Sequence, residues 1–331
     1  NLIRDVASTM DADNPGLSSD RTYRYTYDPR DRISQVTKTD TATGDTLATE
    51  SYLHDAASNV IEQTVDGVTT SYTYDRNRLL YATTDGVRAS YNYDPFGRID
   101  TVTAAGEVIE RYSYDGFDRV AEHTRMDDTG TTSTTSYSYD PLDRTASRTD
   151  DADTSGAETT EFTYLGLSGE VLNEEVAGQV QKSYHYSPWG KRLSQVTFNP
   201  DGSQEDAFFG YNPRTDVETL TDDSGDAIAT YGYTAYGNND EDEFTGVDAP
   251  DPGDPTAEAY NVYRYNAKRW DSASGTYDMG FRNYDPGINQ FLSRDSYTGA
   301  LADLNLTTSP WNNNRYAYTG GNPISYIELD G

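Results

Sequence analysis

Carboxylates dominate the reactive side chains of this sequence. There are 56 acidic residues against 25 basic ones, three scattered histidines (His54, His123, His185) and no cysteine. Two carboxylates can hydrolyse a peptide bond when one is ionised and the other stays protonated, a split that close like charges and burial enforce. The missing thiol removes disulfides, iron–sulfur clusters, cysteine-ligated zinc and thiol nucleophiles together. Three dispersed histidines make no histidine-rich metal site, and there is no Ser-His-Asp elbow, phosphate loop or dinucleotide fingerprint. No cofactor and no metal are therefore expected. Asp151-Ala152-Asp153-Thr154-Ser155-Gly156 opens like a calcium loop, but its twelfth position is Phe162, where a bidentate Glu is required. A polar hairpin tip is the reading.

The balance of charge narrows the partners. A net charge of −31 over 331 residues disfavours nucleic acid, whose phosphates are held by Lys and Arg, and an anionic membrane surface. No run of 18 apolar residues exists to span a bilayer. Hydrophobic residues reach only 34%, a composition that invites disorder. The 29 tyrosines and 12% aromatic content argue instead for a packed chain with an acidic surface. The amino end has no signal-peptide pattern and reads like the middle of something longer.

Positioning comes from a repeat. Tyr25-Thr26-Tyr27-Asp28-Pro29-Arg30-Asp31-Arg32 recurs around Tyr72-Thr73-Tyr74-Asp75, Tyr91-Asn92-Tyr93-Asp94, Tyr112-Ser113-Tyr114-Asp115 and Tyr137-Ser138-Tyr139-Asp140. Degenerate copies stand at Tyr52-Leu53-His54-Asp55, Tyr184-His185-Tyr186-Ser187 and Tyr231-Gly232-Tyr233. From Asp28 to Asp140, by way of Asp55, the steps are 27, 20, 19, 21 and 25 residues, so insertions fall in loops.

Each unit reads as a β-hairpin. Tyr-x-Tyr has period two, which sends both rings to one face of a strand. Asp-Pro-x-Gly/Asp-Arg supplies a turn, and an alternating run such as Ile33-Ser34-Gln35-Val36-Thr37 returns. One hairpin cannot bury its aromatic face alone, so the units must stack into one twisted sheet. The expected fold is all-β: consecutive antiparallel hairpins in a coiled sheet, with neighbouring tyrosine rows forming an aromatic ladder and any helix lying after residue 260. The first residues, Asn1 to Val6, resemble the post-turn half of a unit whose Tyr-x-Tyr half comes earlier. The acidic stretch from Asn238 to Glu243, continuing through Asp254, reads as a solvated loop.

At these residues a resemblance becomes specific. The Tyr-x-Tyr-Asp-x-x-x-Arg unit resembles the YD repeat of Rhs and teneurin-like proteins. The stretch containing Tyr263-Arg264-Tyr265-Asn266, Gly275-Thr276-Tyr277, Asn283-Tyr284-Asp285-Pro286, Phe291-Leu292-Ser293-Arg294-Asp295 and Asn322-Pro323-Ile324 resembles the Rhs repeat-associated core that closes such arrays. The wording is similar to that of wall-associated YD-repeat toxins of Gram-positive bacteria. The resemblance implies a β-shell or cocoon with the core segment as its plug. It divides the chain into a YD-repeat shell segment, 1–237, an acidic linker-like loop, 238–259, and the Rhs core, 260–331.

Function follows as an expectation of that resemblance. The shell encloses and delivers a C-terminal toxin, released by an aspartyl autoprotease in the core. Asp295 aligns with the family's catalytic Asp, Asp271 is the candidate partner, and Arg294 would tune one carboxyl or hold the scissile carbonyl. Burial by Tyr284, Phe291 and Tyr297 would keep one carboxyl protonated. The cleavage frame is Pro323, four residues, then Glu328-Leu329-Asp330-Gly331, where the family has Asp-Pro-x-Gly. The implied partners are upstream YD repeats of the same polypeptide and a toxin beyond Gly331, with secretion or the cell surface as the location. The alternatives are teneurin-like adhesion to a cell-surface or glycan target and a passive structural role, neither of them enzymatic.

Overall fold

The computed structural model describes residues 1–9, 19–127, 129–250, 259–295 and 314–328. Twenty-one strands, from β1 (Arg4–Thr9) to β21 (Thr245–Gly246), form one sheet in which each strand pairs antiparallel with the next. The consecutive-hairpin expectation is met. Among the described residues, helix is limited to three single 3-10 turns. One of them, Glu241–Glu243, lies ahead of the region where helix was expected.

The geometry of one unit explains its consensus. In the turn after β10 (Glu107–Tyr114), the Asp115 N–H bonds the Arg119 carbonyl at 2.9 Å. Asp115 Oδ1 accepts the N–H of Phe117 and Arg119, and Oδ2 accepts Arg119 Nε at 2.8 Å. Asp28, Asp94 and Asp140 repeat the arrangement. Burial opposes these charges, yet the paired arginine and backbone N–H groups hold all four carboxyls below the usual range. The fourth turn residue is left-handed, with φ of 62° at Asp31, 86° at Gly97, 70° at Asp118 and 64° at Asp143. That is why the consensus alternates Gly and Asp there.

The second tyrosine joins one unit to the one before it. Tyr74, Tyr114, Tyr139, Tyr164, Tyr186, Tyr211 and Tyr233 each donate their hydroxyl to the carbonyl that follows the preceding unit's turn, at 2.6–2.9 Å. The arginine reaches forward in return: Arg98 bonds Asp118 at 2.8 Å and Arg119 bonds Asp143 at 2.7 Å. Just ahead of the second aromatic the pairing slips by one residue in nine units, for example at Thr26/Tyr27, Ser113/Tyr114 and Gly210/Tyr211. A bulge sharpens local twist and bends its strand. Repeated at one place in every unit, it curls the sheet.

The curl brings early strands to late ones without closing a barrel. Arg214 reaches Asp5 at 3.3 Å, Arg21 reaches Glu243 at 3.1 Å, and Lys38 bonds both Asp240 and Glu243. The start of the acidic stretch is thus folded onto β2 (Ser19–Tyr27) and β3 (Ile33–Asp40), with Glu243 buried. This corrects the reading of that part as a solvated loop. Residues 251–254 of the stretch lie outside the described residues.

Inside the curl the tyrosines of each pair face one way, as expected. Tyr72, Tyr74, Tyr91, Tyr93, Tyr112 and Tyr114 all belong to or pack against one apolar cluster. They do not form a continuous ladder, because a return strand lies between neighbouring units. Tyr72 is opposite Ala82, Tyr91 opposite Val102 and Tyr112 opposite His123. Their aromatic partners come from later in the chain: Tyr236 lies 5.0 Å from Tyr52, Tyr263 5.1 Å from Tyr184 and Tyr316 6.1 Å from Tyr93. A second sheet, β22 (Arg269–Asp271), β23 (Thr276–Asp278), β24 (Asn283–Asp285) and β25 (Gln290–Phe291), joins the same cluster through Tyr277, Tyr284 and Phe291.

Candidate functional site

Asp271 ends β22 at a tight turn, where it is buried. Its carboxylate accepts the Tyr137 hydroxyl at 2.6 Å and the Ala273 and Ser274 N–H groups, and it pairs with Arg148 at 3.4 Å. Burial works against its charge, but Arg148 and these donors outweigh it and hold the carboxyl below the usual range. Asp271 is therefore an ionised carboxylate tied to β12 (Thr132–Tyr139) and β13 (Thr145–Asp150).

Asp295 sits at the other side of the small sheet. Its N–H bonds the Arg315 carbonyl at 2.8 Å, and Arg315 donates back to the Asp295 carbonyl. Arg294 is exposed and lines a recess of about 300 Å³ with Arg76, Arg78, Arg315 and Tyr316. The recess closes on the Gly97 turn, where a Cβ would stand 2.9 Å from Arg78 Nη2 and from Tyr316 Oη. With φ at 86°, glycine suits the position, and a larger residue would have to push the Arg78 and Tyr316 side-chain ends aside. Four arginines and a single acid, Asp75, surround the opening, which leaves it cationic. It can hold a carboxylate or polarise a carbonyl.

Pro323 is buried, and Ile324 joins the main cluster. Asn322 donates to the Asp31 carbonyl at 2.6 Å and to Asn1, so the end of the described chain is fastened to its beginning. Glu328 accepts the Thr319 N–H at 3.1 Å. Leu329, Asp330, Gly331 and Tyr297 lie outside the described residues. Of the aromatics expected to bury the site, Tyr284 and Phe291 are fully buried and lie 4.0 and 5.9 Å from Tyr318, ring centre to ring centre.

Carboxyls that keep a proton near neutral pH occur elsewhere. Asp285 is pushed up to about 7 by burial and then by the charge of Glu110. Burial also raises Glu110, which accepts the Tyr112 hydroxyl at 3.1 Å. Glu50 and Glu218 are each pushed up to about 7 by burial. Sequence reading passed over these groups, although a signal was present: Glu50 and Glu110 precede a repeat tyrosine by two residues, and period two turns them inward with it.

No family model matches the chain. Over 167 residues, 50% of its length, the chain is 33% identical to the tRNA3(Ser)-specific nuclease WapA of Bacillus spizizenii. It is 30% identical to the tRNA nuclease WapA of Bacillus subtilis strain 168 over a stretch of the same length. It spans only 6% of either relative. Salivary gland surface protein 1 of Aedes aegypti is 29% identical over 107 residues, 32% of this chain and 2% of that protein. Among solved structures, TcdB2-TccC3-TEV aligns with 95% of this chain and 18% of its own, with a TM-score of 0.49 and 16% identity. A Photorhabdus luminescens Tc holotoxin pore aligns over the same shares, with a TM-score of 0.47 and 16% identity. With its tandem Tyr-x-Tyr-Asp hairpins, their stacked arginines and the sequence it shares with the WapA proteins, the chain is a member of the Rhs/YD-repeat proteins.

Proposed function

We propose that this chain is part of a secreted or cell-surface YD-repeat shell that encloses and delivers a toxin carried beyond Gly331. One observation carries the reading. The segment after residue 260 packs on the inner tyrosine face of the curled sheet, in one cluster with Tyr25, Tyr52, Tyr72 and Tyr112. A sheet curled around its own later segment is the geometry of a container with a plug. The WapA relatives are named as tRNA nucleases, which supports a toxin as cargo.

Release by the core deepens this reading. Water attacks the carbonyl at or next to Gly331, giving its proton to an ionised carboxylate, while a protonated carboxyl gives its proton to the departing amine nitrogen. Asp295 is the proposed catalytic carboxyl and Asp271, held ionised by Arg148, its proposed partner, a role that requires the two opposite edges of the small sheet to meet around the scissile bond. Arg294, beside Arg315, would hold the carbonyl oxygen as charge develops on it.

The test is expression with the native downstream sequence. The intact protein should run as two fragments on a denaturing gel, and Asp295→Asn as one. An uncut wild type would overturn self-release. Downstream sequence digested by an added protease as fast as free polypeptide would overturn enclosure. The match to a mosquito surface protein favours a second reading, display and adhesion without cargo. A stop codon directly after Gly331 would support it.

A further inference from the structure

One unit of the repeat lacks the usual turn. Asp28, Asp94, Asp115 and Asp140 each clamp an arginine four residues on. By contrast, β6 (Val68–Asp75) and β7 (Arg78–Thr84) are joined by Arg76 and Asn77 alone, both left-handed with φ of 50° and 67°. That is a tight hairpin of the primed type. Asp75 and Arg78 become ladder partners, and no clamp forms between them. The guanidinium of Arg78 lies instead 5.4 Å from the ring centre of Tyr93.

The segment after residue 260 brings two more arginines to the same place. Arg294 and Arg315 line the recess of about 300 Å³ together with Arg76 and Arg78. A Cβ on Gly97 would stand 2.9 Å from Arg78 Nη2 and 3.7 Å from Arg294 Cδ, so the two side chains meet over one glycine. Among the described residues, none of the four arginines forms an ion pair with a carboxylate. Arg315 donates to the Asp295 carbonyl, but its Nε is buried without an acceptor among the described residues. A buried donor stays unpaired only at a cost in stability. Asn77 also lines the recess; its side-chain oxygen already accepts Asn59 Nδ2 at 3.0 Å, which leaves its amide NH2 as a donor.

We propose that this recess binds a small multivalent oxyanion of the phosphate class, which fastens the core segment to the sheet. Charge selects an anion. Four guanidiniums share the opening with one carboxylate, that of Asp75, on a molecule whose net charge is −31. Two of these cations belong to the sheet and two to the core segment, so their repulsion drives the two parts of the chain apart until an anion lies between them.

Shape and valence select phosphate. A planar guanidinium fork matches two oxygens of one oxyanion, whereas chloride offers a single atom. A carboxylate supplies one charge where a phosphate group supplies about two, with three strong acceptor oxygens. A recess of about 300 Å³ stands at the small end of ligand pockets, which suits a phosphate or diphosphate better than a large cofactor. The site goes beyond the release reading and does not depend on it, since binding needs neither downstream sequence nor a catalytic carboxyl.

Calorimetric titration of the 331-residue chain with pyrophosphate, at constant ionic strength, should show one equivalent bound. Inorganic phosphate should compete for the same site, and sodium chloride should give no saturable heat. Arg76 and Arg294 are exposed and come from the two parts of the chain that meet here. Arg76→Gln and Arg294→Gln should therefore each weaken pyrophosphate binding about tenfold while the circular dichroism spectrum stays that of wild type. In chloride alone both variants should melt at or above the wild-type temperature, because each removes one charge from a repelling set. With saturating pyrophosphate the wild type should melt highest. Arginines with a purely structural role would instead lower the melting temperature in both conditions, and that result would overturn the proposal. So would the lack of saturable binding of either anion, or equal pyrophosphate affinity in Arg294→Gln and the wild type.

Discussion

The guanidinium of Arg119 lies 4.4 Å from the ring centre of Tyr139, which belongs to the next unit. The pair repeats as Arg98 on Tyr114 at 4.4 Å, Arg144 on Tyr164 at 4.2 Å and Lys191 on Tyr211 at 4.4 Å. Each of the three arginines also closes its own turn, and each tyrosine hydroxyl bonds a carbonyl behind that turn. Tyr, Asp and Arg therefore recur as a set because one joint between units uses all three: a ring as platform, a carboxylate as turn clamp and a planar cation spanning both.

Arg119→Lys should accordingly not behave as a conservative change. It loses the paired bonds to Asp115, the bridge to Asp143 and the planar stack. Tyr139→Phe keeps the ring but leaves the Val120 carbonyl without its donor. Urea unfolding should show a loss of about 1–3 kcal/mol for each. Measured as a double-mutant cycle, the two losses should be non-additive, since both act on one joint. Full additivity would mean that the Arg119 cation and the Tyr139 hydroxyl act independently.

Lys38 is buried between Asp240 and Glu243 at the seam where the curl brings β3 to the segment after β20 (Ala227–Thr230). Lys38→Met removes the cation and leaves two carboxylates facing each other, which should cost about 3–5 kcal/mol. Because the seam joins parts of the chain about 200 residues apart, the change should also open the curl. A larger radius of gyration in solution scattering would report it. An unchanged radius with lowered stability would place the effect in local packing alone.

The turn chemistry and the meander were legible because Tyr-x-Tyr and Asp-Pro-x-Gly/Asp-Arg are local signals. The repeated slip before Tyr27, Tyr114 or Tyr211 was not, since a bulge is settled by the partner strand rather than by its own residues. The burial of Glu243 and the pairing of Asp240 were missed for a related reason. An acidic run looks solvated until the fold supplies Lys38 and Arg21 from the far end of the chain. The aromatic ladder failed on geometry: a strand carrying Ala82, Val102 or His123 stands between one unit's rings and the next. At the candidate site, sequence could name Asp271 and Asp295 but could not show that Tyr137 and Arg148 already engage Asp271.

Stability should fall as pH rises from about 5 to about 7.5. Glu50, Glu218 and Asp285 each hold their proton up to about 7 in the folded chain. Their contribution is full below the ordinary carboxyl range and is lost as pH rises through about 7. Asp28, Asp94, Asp115 and Asp140 are shifted the other way, so their contribution is lost only in stronger acid. Net repulsion among 56 acids acts in the same direction as the raised group. The variant Glu50→Gln separates the two effects, because it should flatten the slope of melting temperature between pH 5 and 7.5 more than a change at an exposed acid such as Asp45→Asn. Equal slopes would assign the whole effect to net charge.

Cleavage and folding can be told apart at Asp271 and Asp295. Asp271→Asn removes the charge that Arg148 faces in a buried site, so it should lower stability by about 3 kcal/mol or more whatever its chemical role. Asp295 lies at the edge of the small sheet and is held through its backbone by Arg315, so Asp295→Asn should leave the melting temperature within about 2 °C of wild type. With the downstream sequence present, Asp295→Asn should stop self-cleavage while the shell stays folded. The partner role of Asp271 is read from the rate rather than the yield. At a temperature where Asp271→Asn is fully folded, a catalytic partner would be silent across the pH range. A positioning residue would leave slower cleavage with an unchanged pH profile. If Asp295→Asn cuts at the wild-type rate, the fragment comes from another protease and this chain serves as a container alone.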